Sequence, residues 1–243
     1  MPSKMFVLTV AAGKRLIAKG IAQEPAIKNA IENHKLVVIA GTTNNYVMQE
    51  LCPGFDRPAF YRGTTTAPGK ALSISSDLTD CVITKDGVDM SRDIFAIAPE
   101  LGPGDVILKG ANAVHIPSGE AGVLIGSDVT GTIGACTPAV IGRRVQLILP
   151  VGVEKRVDEP ISVLAQAANA PDGAGPRLYP APGRAYTEID AIFTLTGCKA
   201  RIAAAGGVLG AEGAVYFLCE GTKEQLDACT ALVGSVVKEP AFS

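Results

Sequence analysis

Three apolar runs rich in β-branched residues, two uninterrupted and the third broken only by Gln146, constrain the fold of this chain more than any other feature. They are residues 36–40 (LVVIA), 106–108 (VIL) and 145–149 (VQLIL). A strand with one face in water alternates apolar and polar residues, whereas an uninterrupted apolar run is typical of a strand covered on both faces. Helical segments separate the runs, which implies a parallel sheet with right-handed crossovers. The sequence therefore predicts an α/β fold: a Rossmann-like parallel sheet with helices on both faces.

The segments between these runs predict the other elements. Residues 14–33 carry apolar side chains at mostly helical spacing, and Pro25 divides them into two helices. Lys85-Asp86-Gly87 is a hairpin turn signal between short strands at 81–84 and 88–90. Further predicted strands cover residues 6–10 and 71–74, and further predicted helices cover residues 45–51 and 135–142.

A segment dense in proline and glycine divides the chain. Residues 171–184 are the best candidate for a linker between a domain at 1–170 and an arm at 185–243. Within the arm, the pattern predicts strands at 189–196 and 214–219, and helices at 199–208 and 223–233. The arm is therefore predicted to be a small α+β unit of βαβα order.

Composition and charge exclude several classes of partner. The chain has 243 residues, of which 47% are hydrophobic and 19% charged, and its net charge is −2 with no basic run. Nucleic-acid binding relies on clustered Lys and Arg, so we expect no nucleic-acid partner. No apolar stretch approaches the roughly 20 residues of a membrane span, and the run near the N-terminus is too short for a signal sequence.

The cysteines indicate a reducing compartment. None of them forms a CxxC pair, and with only two histidines no zinc-binding spacing exists. We therefore expect free, buried thiols, a cytoplasmic location, no metal and no cofactor. The cysteines are Cys52, Cys81, Cys136, Cys198, Cys219 and Cys229.

The first candidate site follows the first apolar run. Gly41, Thr42, Thr43, Asn44 and Asn45 lie between a predicted strand and a predicted helix. Ligands of open parallel sheets gather at the carboxyl ends of the strands, and a helix N-terminus there presents free N–H groups to an anion. The segment is therefore a candidate cradle for a phosphate or carboxylate, although helix capping alone also explains it.

A second loop is also rich in hydrogen-bond donors. Arg62 begins the segment Arg62-Gly63-Thr64-Thr65-Thr66 and could clamp an anion through both arms of its guanidinium group. An ordinary solvated loop is the alternative interpretation.

Four segments together resemble one superfamily, which includes ribose 5-phosphate isomerase, glucosamine-phosphate deaminases, CoA transferases and the effector domains of sugar-phosphate repressors. The segments are LVVIAGTTNNYVMQEL, DVILKGANAV, RRVQLILPVGVEKRV and the arm, which resembles the isomerase's ferredoxin-like appendage. The resemblance spans most of the chain. It implies binding of a sugar phosphate or an acyl compound at the carboxyl ends of the strands.

Two alignments with the isomerase motif Asp-Gly-Ala-Asp remain open. In one, Asp86 and Asp89 are the two motif aspartates. In the other, which we prefer, Lys109-Gly110-Ala111-Asn112 occupies the motif, so Lys109 and Asn112 replace the carboxylates and line the pocket with Gly110. The preferred alignment predicts no efficient isomerisation of ribose 5-phosphate, because that reaction needs a positioned base.

A glycine-rich stretch supplies the candidate base. Glu120, in Ser118-Gly119-Glu120-Ala121-Gly122, could act as a general base or as a nucleophile in the manner of CoA transferases. A solvent-facing loop glutamate is the alternative, and His115 nearby is interpreted as structural. Residues 130–134 are either an anion-binding nest or a tight turn.

The sequence thus predicts a protein that binds a small phosphorylated or acyl metabolite. A divergent sugar-phosphate isomerase, a CoA-type acyl transferase and a metabolite sensor without catalysis are all compatible with these residues. The candidate catalytic residues are Glu120, Lys109 and Asp86. The pattern leaves open whether the chain forms a homo-oligomer.

Overall fold

The fold is known from a computed structural model that describes residues 1–57, 59–63 and 78–242. In these ranges the strands are β1 (Ser3–Leu8), β2 (Leu36–Val38), β3 (Cys81–Thr84), β4 (Gly87–Asp89), β5 (Val106–Leu108), β6 (Ala113–His115), β7 (Glu120–Ile125), β8 (Gln146–Pro150), β9 (Arg177–Ala181), β10 (Arg184–Tyr186), β11 (Lys199–Ala205) and β12 (Val215–Glu220). The helices are α1 (Val10–Ile21), α2 (Pro25–Asn33), α3 (Thr42–Leu51), α4 (Ile94–Ile97), α5 (Gly131–Thr137), α6 (Ile161–Ala168), α7 (Glu188–Thr196) and α8 (Lys223–Val236).

The three apolar runs form the centre of a six-stranded sheet. Its order is β10-β8-β5-β2-β3-β4, in which the first four strands are parallel and the β3–β4 hairpin adds two antiparallel strands at one edge. The predicted α/β class and the predicted hairpin are therefore confirmed, but the sheet is mixed and not wholly parallel.

Both faces of this sheet are covered, as the uninterrupted apolar runs predict. Leu36, Val38 and Leu108 belong to one buried cluster with residues of α1, α2 and α3. Val37 and Ile107 point to the other face and belong to a second cluster with residues of α4, α5 and β7. Alternate side chains of β2 and β5 thus enter different cores, and a polar residue would be buried at every position of these two strands.

Several predicted elements agree with the structure at shifted bounds. Pro25 begins α2, which separates it from α1 as predicted. The helix predicted at 45–51 already begins at Thr42, and the one predicted at 135–142 begins at Gly131 and ends in a π turn. The strand predicted at 71–74 lies outside the described residues.

A second sheet joins the two ends of the chain. The strand β1 pairs antiparallel with β12, which pairs antiparallel with β11. Phe6 and Leu8 of β1 lie in the same buried cluster as Phe217 of β12 and Cys229 of α8. The N-terminal strand, predicted as part of the first domain, thus completes the sheet of the C-terminal arm.

Two element predictions in the arm are wrong. The predicted strand at 189–196 is helix α7, and the predicted helix at 199–208 is strand β11, so the order is αββα. Thr187 and Asp190 form a capping box at the start of α7, and Gly197 ends it in the left-handed conformation. These start and stop signals were present in the sequence and outweigh the β-branched residues between them.

The predicted linker contributes strands. Residues 177–181 form β9, which pairs with β7 at the edge of a small sheet of order β6-β7-β9. Pro180 is tolerated there because an edge strand can leave one N–H position without a ladder partner. Residues 184–186 form β10 and pair with β8.

A close helix crossing provides a test of the packing. A Cβ atom on Gly20 of α1 would lie 2.5 Å from the hydroxyl oxygen of Tyr186 and 2.7 Å from the Cβ of Ala191 in α7. We expect Gly20→Ala to destabilise the fold by about 1–3 kcal/mol, since overpacking outweighs the better helix propensity of alanine. Gly234→Ala in α8 is the matched control, because no described atom lies within 4 Å of the added Cβ. The control should gain up to about 1 kcal/mol. Equal urea midpoints for the two variants would contradict this account of the crossing.

No helix in the described ranges is both long and apolar enough to span a bilayer.

Candidate functional site

The candidate site lies where four parallel strands end together. The chain leaves β2, β5, β8 and β10 at the same edge of the sheet, through the segments 39–42, 109–112, 151–155 and 187–188. Ligands of parallel sheets bind at this carboxyl edge because helix N-termini and polar loops converge there. The polar side chains on these segments therefore decide what the edge can hold.

Asn44 and Asn45 support the backbone of this edge. The side-chain amide of Asn44 donates to the carbonyls of Ile39 (2.7 Å) and Leu108 (3.0 Å), which follow and end β2 and β5 respectively. Its Oδ1 is buried and has no hydrogen-bond partner among the residues that the structure describes. The Asn45 amide donates to the carbonyl of Arg57 at 2.8 Å. Both residues, predicted as ligand donors, thus use their amide N–H groups to hold neighbouring segments, and Thr43 is also buried.

Gly41 and Gly110 leave open space above two neighbouring strand ends. The φ of Gly41 is 179°, which any residue adopts, and as the N-cap residue it has no side chain with which to cap the first turn of α3. A Cβ on Gly41 would come no closer than 3.9 Å to another described atom, and one on Gly110 would meet none within 4 Å. Neither backbone conformation nor packing in the described chain requires glycine at these two positions.

Lys14 of α1 reaches the start of α3. Its Nζ donates to the hydroxyl of Thr42 at 3.3 Å. Burial lowers the pKa of Lys14, and the charge of Lys155 lowers it further, while Glu154 and Glu188 raise it. A partly desolvated ammonium group therefore lies beside the uncapped helix terminus, where positive charge and free N–H groups both favour an anion.

The turn after β8 adds a second lysine and a carboxylate. Lys155 donates to the carbonyl of Ala111 at 3.0 Å and so connects the ends of β8 and β5. The side chain of Glu154 folds back over Gly152, where any Cβ would collide with the carboxylate.

Glu188, the first residue of α7, lies beneath these groups. It is 3% exposed, and its Oε2 accepts a hydrogen bond from the Val153 amide at 2.9 Å. Its Oε1 occupies space that a side chain on Gly13 would need. Burial and the charge of Glu154 raise the pKa of Glu188 to about 8, against the opposing effects of the Val153 amide and Lys155. The carboxyl group is therefore mostly protonated at neutral pH.

Lys109 extends directly from the central strand β5. Its pKa is lowered by burial, since desolvation disfavours the ammonium form, and Arg62 lowers it further. Arg62 itself binds both carboxylate oxygens of Asp80, at 2.9 and 3.0 Å, and the carbonyl of Leu78. The predicted anion clamp is thus engaged in an internal ion pair, and Thr64, Thr65 and Thr66 lie outside the described residues.

Two predicted residues are not brought to this edge, and a third, which lies on it, is engaged elsewhere. Asp86 is exposed in the β3–β4 turn, which lies at the opposite edge because β3 runs antiparallel to β2. Glu120 begins β7 and accepts a hydrogen bond from the Ser162 amide at the start of α6. Asn112 is exposed, and its Oδ1 accepts from the Leu124 amide within the β6–β7 hairpin. The structure therefore does not bring Asp86 and Glu120 together with Lys109, and Asn112 has a role in the hairpin.

The other candidates from the sequence, His115 and Thr130, have local roles. His115 contacts the Ser118 hydroxyl at 2.7 Å, and Thr130 takes a left-handed conformation just before α5. Among the residues the structure describes, no group of His, Cys, Asp or Glu could hold a metal ion. Comparison with protein-family models, with curated proteins and with solved structures yields no match.

Sequence reasoning missed Lys14, Glu154, Lys155, Glu188 and Asp80. Glu154 and Lys155 were within a segment that carried the family resemblance, in LPVGVEKRV. Glu188 lay directly before a predicted strand of the arm, so no sequence signal connected it with the first domain. Only the packing of α7 on α1 brings it beside Gly13.

Proposed function

We propose that this protein binds a small anionic metabolite, phosphorylated or acyl, at the carboxyl edge of its parallel strands. Lys14, Thr42 and the first amides of α3 would contact the anion, and Lys155 and Lys109 would add positive charge. The observation that carries the proposal is that Lys14 from α1 and Lys155 from the turn after β8 lie close together at this edge, beside two glycines that the fold itself does not require.

The proposed chemistry is that of a divergent sugar-phosphate isomerase-like enzyme. An enzyme of this kind needs a titratable group beside the cradle, whereas a sensor needs only the cradle. Glu188, which contacts Gly13 and the Val153 amide, is a buried carboxyl group near Lys14 in this arrangement. A CoA-type transferase is less well supported, since Glu120 is engaged at the N-terminus of α6.

The resemblance to the sugar-phosphate superfamily is also part of this proposal. The mixed sheet would be a version of the Rossmann-like domain of those sugar-phosphate proteins, in which Lys109-Gly110-Ala111-Asn112 replaces Asp-Gly-Ala-Asp. The central parallel strand before Lys109 is compatible with that alignment, whereas Asp86 lies at the opposite edge.

Removing the Lys14 charge tests the proposed site. Sulfate is a suitable probe because it stays a dianion at neutral pH. A charge-assisted hydrogen bond contributes about 1.5–3 kcal/mol, so Lys14→Met should weaken sulfate binding at least about tenfold in isothermal titration calorimetry. The melting temperature should change little.

Lys85→Met is the matched control, because Lys85 is exposed in the hairpin turn at the opposite edge of the sheet. It should bind sulfate as the wild type does. If the wild type binds no sulfate, or if both lysine variants bind it equally, the proposed site is wrong.

A further inference from the structure

We propose that this chain forms a twofold dimer through its arm, in which the β11–β12 hairpin tip of each copy enters a surface pocket of the other copy. The tip is residues 207–213, and the pocket lies beside the start of β11. A second copy docked antiparallel along the outer edge of β11 would make both contacts at once. The proposal is independent of the anion site, which lies at the carboxyl edge of the six-stranded sheet.

The hairpin tip presents apolar side chains to solvent. Val208 and Leu209 are 74% and 99% exposed, so the described part of the same chain does not cover them. The φ of Leu209 is 55°, in the left-handed region that favours Gly, Asn or Asp. A solvated turn is expected to carry one of those residues at this position. An apolar side chain in a strained turn is instead expected where another surface covers it.

The pocket beside β11 is mainly apolar and has room for such a side chain. Its volume is about 620 Å³, and residues 198–200 form the wall next to the edge of β11. Phe193 of α7 also lines it and is 60% exposed. Its two carboxylates, Glu24 and Asp190, already accept hydrogen bonds within the same chain. Contact between an inserted leucine and Phe193 would remove both from water.

The edge of β11 next to this pocket is open in the described chain. β11 pairs with β12 on one side, and no described strand pairs with its other side. Residues 203–205 are exposed alanines, which allow another backbone to approach closely. An unpaired edge of this kind is a template for a further strand.

Antiparallel docking brings each tip to the pocket of the other copy. The tip follows the end of β11, whereas the pocket lies at its start, so the two meet only when the strands run in opposite directions. A strand rises about 3.3 Å per residue, so residues 206–209 reach up to about 13 Å past the end of β11. The tip then passes residues 198–200 of the other copy, which are a wall of the pocket. Twofold symmetry makes the two contacts identical.

The charges of β11 and of the tip are compatible with this arrangement. Lys199 and Arg201 lie in the first half of β11 and the alanines in the second half, so antiparallel copies oppose cations with alanines. Glu212 is the charged residue of the tip, and it is exposed. Insertion would bring it toward Lys199 on the rim of the other copy's pocket. Opposite charges therefore meet where the tip enters.

The inserted tips must supply most of the binding free energy. The pairing of β11 with β12 shifts in register between Ile202 and Ala204. Such a bulge in an edge strand weakens its pairing with a further strand. Leu209 is therefore the contact on which the dimer depends.

Sedimentation velocity at micromolar to millimolar concentrations tests the dimer. The wild type should shift from monomer to dimer as its concentration rises. Leu209→Asn suits the left-handed turn and removes two buried leucines per dimer, so it should weaken association at least about a hundredfold without lowering the melting temperature. Val129→Asn is the matched control, because Val129 is 77% exposed and lies outside the arm. It should associate as the wild type does.

A mixture of two variants tests whether the insertion is reciprocal. Phe193→Gln damages the pocket but keeps a good helix former on α7, whereas Leu209→Asn damages the tip. The dimer of either variant alone has no intact contact between tip and pocket, but a mixed dimer keeps one. The mixture should therefore associate at least about tenfold more tightly than either variant alone.

Substitutions at Ala204 test the direction of the strands. Ala204, Arg201 and Lys199 pair with alternate residues of β12, so their side chains lie on one face of the sheet. In antiparallel copies Ala204 approaches the two cations of the other copy. Ala204→Glu should strengthen the dimer and Ala204→Lys should weaken it, each by about two- to thirtyfold.

A wild type that stays monomeric at millimolar concentration overturns the proposal, because the tip and the pocket then have no second copy as their occupant. A dimer that Leu209→Asn leaves unchanged, or a mixture no tighter than its two components, also overturns it. A stronger dimer for Ala204→Lys than for Ala204→Glu would contradict the antiparallel direction. None of these results depends on sulfate binding at the anion site.

Discussion

Replacing Asp80 with alanine is expected to lower the free energy of unfolding by about 3–5 kcal/mol, the cost of breaking a buried ion pair from one side. Asp80 is fully buried, and its carboxylate accepts from the Ala40 amide at 2.9 Å, from the Ile94 amide at 2.7 Å and from Arg62. The variant leaves two amides without their acceptor and a largely buried guanidinium group without its counter-charge.

Urea unfolding at neutral pH measures this loss, and Asp86→Ala is the matched control. Asp86 is exposed in the β3–β4 turn, so its replacement should change stability by no more than about 0.5 kcal/mol. Asp80→Asn keeps one acceptor oxygen and should fall between the two. A loss below about 1 kcal/mol for Asp80→Ala would show that this carboxylate does not hold β2, α4 and Arg62 together.

The second large effect is a pH dependence of stability that belongs to Glu188. The pKa of this carboxyl group is raised to about 8 in the folded protein, above its ordinary value. Its stabilising contribution is thus complete below the ordinary value and is lost as the pH rises toward 8. Between pH 5 and pH 8 the stability of the wild type relative to Glu188→Gln should fall by about 4 kcal/mol at most, at 1.36 kcal/mol per pKa unit.

Urea unfolding at pH 5, 6.5 and 8 gives this difference directly. Glu32→Gln on the exposed surface of α2 is the control for the chemical change itself, because it makes the same substitution at an exposed position. Parallel pH profiles for the wild type and Glu188→Gln would show that the buried carboxyl group does not hold its proton at neutral pH.

Sequence patterns predicted the centre of the fold because burial on both faces leaves a clear signal. Residues 36–38 and 106–108 had to be buried strands, and Lys109 had to follow one of them. The prediction for the arm was wrong for a local reason. Ile189, Ile192 and Phe193 suggested a strand. The Thr187–Asp190 capping box and Gly197 instead define helix α7.

The candidate site was predictable only where it is local in sequence. Gly41 and Thr42 follow directly from a strand–turn–helix pattern. Asn44 occupies the predicted position, but its role depends on the carbonyls of a neighbouring strand. Lys14 and Glu188 come together only because α1 packs on α7, and no short-range pattern encodes a contact between helices so distant in sequence.

The pairing of β1 with β12 also determines when folding can be completed during synthesis. During synthesis β1 and α1 emerge long before β12 and α7, against which they pack. The Arg15–Glu239 contact, between residues 224 apart, is of the same kind. Contacts this distant in sequence slow folding, because loop-closure entropy must be overcome before they form. Gly13 and Lys14 therefore acquire their partner Glu188 late, so the charge arrangement at the carboxyl edge should be among the last features to assemble on a ribosome-bound chain.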